Sequence, residues 1–81
     1  MRVRLKELGT SNLIGANVQK IRKQRGIKQK DLLAKLQVNG IDMSASALSK
    51  LEGQVRMVTD IELVTLSKIL ALPIEELLDT K

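Results

Sequence analysis

The stretch from Gln29 to Glu52, QKDLLAKLQVNGIDMSASALSKLE, decides the fold. Leu32, Leu33 and Leu36 recur at helical spacing in its first half. Asn39-Gly40 is a strong turn dipeptide. Ser44 then supplies an N-cap, and Leu48 and Leu51 follow three residues apart. Two helices flanking a turn are expected, the first beginning near Lys28 or Gln29 and ending at Leu36 or Gln37. Val38, Ile41 and Met43 mark the link between them as packed down. The second helix, 44–52, has an apolar edge and an edge of Ala45, Ser46, Ser49 and Lys50. Short polar side chains with one cation on an exposed helix face suit an approach to the edges of nucleic-acid bases.

Composition narrows what such a chain can do. Its 81 residues make one small domain. There is no Phe, Tyr or Trp, so the core must come from Leu, Ile, Val, Ala and Met. Stacking of single-stranded bases on aromatic rings is excluded with them. There is no Cys and no His. Disulfides, a zinc centre, and Ser-His or Cys-His nucleophiles are therefore unavailable, and no metal or cofactor is expected. The carboxylates are scattered, and Gly9, Gly15, Gly26, Gly40 and Gly53 form no phosphate loop, so an enzyme is not expected. No apolar run approaches membrane-spanning length and no signal peptide is visible, which points to a soluble cytoplasmic chain.

The formal net charge is +5, and its placement says more than its size. Residues 1–31 hold nine Lys or Arg against two acids, whereas residues 59–81 hold two Lys against five acids. Such asymmetry gives a basic face and an acidic end. A basic face attracts a phosphate backbone, although surface charge also serves plain solubility. Lys20, Lys23, Arg25, Lys28 and Lys30 make the broadest cluster, of which Lys20, Lys28 and Lys30 are the candidate phosphate contacts.

Met1 to Asn12 reads as an N-terminal arm. Val3 and Leu5 alternate with Arg2, Arg4 and Lys6, the period of a short strand or extended segment. Residues 13–79 form the folded unit. Leu13 to Arg25 is a helix with an apolar stripe of Ile14, Val18 and Ile21, stopped by Gly26 at C′, with Ile27 folding back onto the core. Thr59-Asp60-Ile61-Glu62 is a capping box. The helix it opens carries Ile61, Leu63, Val64, Leu66, Ile69 and Leu70, and so should lie centrally in the core. Pro73 begins a last short helix from Ile74 to about Asp79, with Glu75 and Glu76 suited to its first turn. The expected fold is a compact all-α domain of five helices.

Three segments together, IRKQRGIKQKDLLAKL, SALSKLE and TDIELVTLSKILALPIEELL, resemble the phage-repressor-like helix-turn-helix family of the XRE or Cro/CI type. The resemblance covers residues 13 to 78 and rests on several helices agreeing in spacing. It implies a five-helix lambda-repressor-like domain that binds double-stranded DNA, a transcriptional regulator acting as a repressor, dimeric on a palindromic operator. Carried over residue by residue, Gln29 matches the glutamine that opens the second helix and bonds a phosphate. Arg22 matches an arginine that pairs with Glu52. Ala45, Ser46, Ser49 and Lys50 match the face that reads base edges, and Arg56 matches a basic loop residue on the backbone. The chain departs from the family pattern at Leu33 and Gln37, where a small residue and a glycine are usual. It also has a longer link before the recognition helix, as in a subgroup of bacterial regulators. Gly53 precedes Gln54 where the family's glycine comes one position later.

An alternative reading is an antitoxin-like or adaptor module that binds a protein partner. Leu72, Ile74, Leu77 and Leu78 are the candidate surface for it, unless they close the core or a dimer.

Overall fold

Five helices run through residues 11–79, the residues that the computed structural model describes. They are α1 Gly15–Gln24, α2 Gln29–Val38, α3 Ala45–Glu52, α4 Asp60–Leu70 and α5 Ile74–Leu77. No strand occurs among the described residues, so the architecture is the all-α one expected. The alternating segment at Val3 and Leu5 lies outside them.

Local chemistry sets the helix ends. Ser44 Oγ accepts from the backbone N–H of Ala47 at 3.0 Å and starts α3. Thr59 Oγ1 accepts from the Glu62 N–H while Glu62 Oε1 accepts from the Thr59 N–H, both at 3.1 Å, which completes the capping box of α4. Gly26, at φ +68, ends α1: its N–H donates to Lys23 O and that of Ile27 to Arg22 O. This is a Schellman closure, and it turns Ile27 back against the core. The same two bonds close α2, from Gly40 to Gln37 O and from Ile41 to Leu36 O. Pro73 is the N-cap of α5, one position before the first helical residue, and the helix stops at Leu77.

The core is aliphatic, as the lack of aromatics requires. Ile14, Val18, Leu32, Leu36, Leu48, Leu51, Leu66, Leu70 and Leu77 are buried together. They fill the space where α1 and α2 pack on α3 and α4, with α5 closing the α4 side. Leu77, a candidate for a partner surface, is fully buried and belongs to this core. Leu72 packs against it, and Leu78 stays exposed.

Three apolar residues do not behave as the pattern suggested. Ile61 and Val64 are 67% and 41% exposed, so α4 is not buried all round; its inner face is Thr65, Leu66 and Leu70. Val38 is 86% exposed, because it ends α2 on the solvent side. Only Ile41 and Met43 of the link pack down.

Polar ties hold the periphery. Asn12, at the end of the arm as read, is buried: its Nδ2 donates to Leu51 O at 3.0 Å and to Arg56 O at 2.9 Å. Its Oδ1 accepts from the Gly15 N–H at 2.7 Å. Asn17 Nδ2 donates to Leu77 O at 2.8 Å and so pins α5 to α1. Arg25 donates to Leu70 O at the end of α4, where a cation opposes the negative end of the helix dipole.

Candidate nucleic-acid interface

The amphipathic pattern of α3 is realised in full. Leu48, Leu51 and Glu52 are buried, whereas Ala45, Ser46, Ser49 and Lys50 are all exposed on the opposite side. Two residues beyond the helix, Gln54 takes φ +63, a left-handed conformation that a glycine would adopt more easily. Gln54 is held there by three bonds. Its O accepts from the Ser11 N–H at 2.9 Å, its N–H donates to Leu51 O at 3.0 Å, and its Nε2 donates to Asn12 O at 3.2 Å.

Beneath the exposed face lies a buried ion pair. Arg22 Nε donates to Glu52 Oε2 at 2.8 Å, and Arg22 Nη2 donates to Oε1 at 3.0 Å. Arg22 Nη1 donates to Ile27 O at 2.8 Å. Both side chains are almost fully removed from water, at 8% and 1% exposure. A bidentate fork with a third bond satisfies the charges that burial would otherwise penalise. The pair locks the end of α3 to α1 and to the turn before α2.

Gln29, the first residue of α2, joins this pair to the surface. Its Nε2 donates to Glu52 Oε1 at 3.0 Å, and its Oε1 accepts from Ser49 Oγ at 3.4 Å. The start of α2 is therefore fixed against the exposed face of α3. Lys28 and Lys30 flank Gln29 and are exposed there. No side chain caps α2, and the N–H groups of Gln29 and Lys30 lie at the positive dipole end, while the Asp31 N–H donates to Lys28 O at 3.0 Å and the Asp31 carboxylate sits in the same turn.

Other expected contacts lie elsewhere. At ~100° per residue, Lys20 stands roughly 140° around α1 from Gly15 and about 160° from Arg22, the residues that meet α3. It points away from that edge, while Lys23 is nearer, about 80° from Gly15. Arg56 turns to Glu62, with bonds of 3.2 and 3.4 Å, and so braces the start of α4. Sequence reasoning missed the link between Gln29 and Ser49 and the anchoring role of Asn12. The first joins residues far apart in the chain and left no local signal; Asn12 reads as the end of the arm, with no partner to mark it.

No helix among the described residues is long and apolar enough to cross a membrane. A family model described as a Cro/C1-type HTH DNA-binding domain matches residues 17–81. Among solved structures, the chain is similar to the DNA-binding domain of BldD, with 26% sequence identity and a TM-score of 0.69. That similarity covers 94% of this chain and 100% of that one. No curated protein matches.

Proposed function

The chain belongs to the Cro/C1-type helix-turn-helix DNA-binding family, and on that premise we propose that it is a sequence-specific repressor reading the major groove with α3. DNA binding and transcription regulation come with the family. The observation that carries the finer reading is the exposed edge of Ala45, Ser46, Ser49 and Lys50 beside the start of α2. Lys50 donates to guanine O6 or N7, Ser46 and Ser49 meet polar base edges, and Ala45 meets a thymine methyl. Gln29, Lys28 and Lys30 engage phosphate next to the groove and set the register. Lys20 and Arg56, given their placement, reach phosphate only if the duplex wraps past α1 or Arg56 leaves Glu62. The dimer is carried over from the family and would set half-sites about 34 Å apart on a palindrome.

The test is a binding titration on a selected duplex and on scrambled duplexes, at several salt concentrations. Affinity should fall steeply with salt, and Lys50→Ala should lose roughly 1–3 kcal/mol on the selected duplex only. Gln29→Ala should weaken all duplexes. Equal losses for Lys50→Ala on every duplex would remove it from base readout.

A further inference from the structure

Glu52 sets the polarity of a chain of hydrogen bonds that ends on the outer face of α3. A carboxylate only accepts, and Glu52 already takes two bonds from Arg22. The Gln29 amide must therefore turn its nitrogen to Glu52, and Nε2 lies 3.0 Å from Oε1. Its oxygen is left facing α3, where Ser49 Oγ lies 3.4 Å away. An amide oxygen also only accepts, so the Ser49 proton points back to Gln29. What the exposed hydroxyl turns outward is its lone pairs.

We propose that Ser49, its proton drawn toward Gln29 by a long, weak contact of 3.4 Å, presents a hydrogen-bond acceptor in the base-reading face and selects a base carrying an exocyclic amine. Adenine N6 and cytosine N4 donate in the major groove, whereas guanine O6 and N7 and thymine O4 accept. An unconstrained serine hydroxyl rotates to suit either kind of partner and would select neither. Gln29 is the positioning residue, acting through Ser49. Its second Nε2 hydrogen is not given to Glu52 and remains for phosphate, so the two roles coexist. This inference rests on the base-reading proposal above and specifies one of its contacts.

Selection from a random duplex pool, run in parallel on the native chain, Ser49→Ala, Ser49→Thr and Gln29→Met, tests it. The native chain and Ser49→Thr should favour adenine or cytosine over thymine or guanine at one position per half-site, by about fivefold. Ser49→Ala should flatten that position alone. Gln29→Met, checked for folding by circular dichroism, should admit guanine and thymine there and leave the preference read by Lys50 intact. The lost phosphate contact lowers its affinity for every duplex alike, so the readout is relative base preference: a structural defect would flatten every position, including the one read by Lys50. Replacing the favoured base by its analogue lacking the amine should weaken the native chain and leave Ser49→Ala unchanged. A preference unaltered in Ser49→Ala, or a Ser49-dependent preference for guanine or thymine, overturns the inference and leaves the base-reading proposal standing. A native chain that enriches no sequence overturns both.

Discussion

Gly15 lies so close to Leu51 that a Cβ at residue 15 would stand 1.9 Å from the Leu51 carbonyl oxygen. The first turn of α1 thus presses on the last turn of α3, the helix assigned to base reading. Gly15→Ala must move backbone, not a flexible side-chain end. A loss of about 2–3 kcal/mol in urea unfolding is expected, with weakened DNA binding from a displaced α3. Unchanged stability would show that the contact is looser than described.

The Arg22–Glu52 pair should behave as a buried couple. Arg22→Met or Glu52→Leu alone strands a charge and should cost about 3–5 kcal/mol. The double substitution should be more stable than either single one. Independent, additive losses in a double-mutant cycle would mean that the two side chains do not depend on each other.

Among the described residues, two other than glycine adopt left-handed backbone, Gln54 at φ +63 and Ala71 at φ +54. Ala71→Gly relieves steric cost and removes only a methyl, so a gain of about 0.5–1 kcal/mol is expected. Gln54→Gly should gain less, since it also removes the bond to Asn12 O. Thermal or urea midpoints of the two variants decide the order.

The outer face of α4 should tolerate charge. Ile61→Lys is expected to change stability by less than about 0.5 kcal/mol, against about 2–5 kcal/mol for Leu66→Ala in the core. A large loss for Ile61→Lys would return that residue to the interior.

The starts of α3 and α4 and the end of α1 were legible because they are local: Ser44, the Thr59/Glu62 box and Gly26 each act within a few residues of themselves, whereas α1 starts at Gly15 and not at Leu13, with no side-chain cap to mark it. The polar edge of α3 was legible because four residues of distinct character alternate with Leu48 and Leu51. The orientation of α4 was not. Ile61, Leu63, Val64, Leu66, Ile69 and Leu70 leave too little contrast around the helix to say which side faces inward. Val38 misled because an apolar residue at a helix end has no periodic neighbour to fix its side. The partners of Gln29 and Arg56 depend on how the helices dock. Its neighbours place Gln29 at a helix start, but nothing local to it marks Glu52 and Ser49 as its partners.

Entry of the outer edge of α3 into the major groove is read by methylation interference on a selected duplex. Methyl groups on guanine N7 lie in the major groove and those on adenine N3 in the minor groove. Guanine methylation should block binding at defined positions in each half-site, and Lys50→Ala should lose sensitivity at one of them. Interference confined to adenine N3, or unchanged by Lys50→Ala, would contradict the assignment.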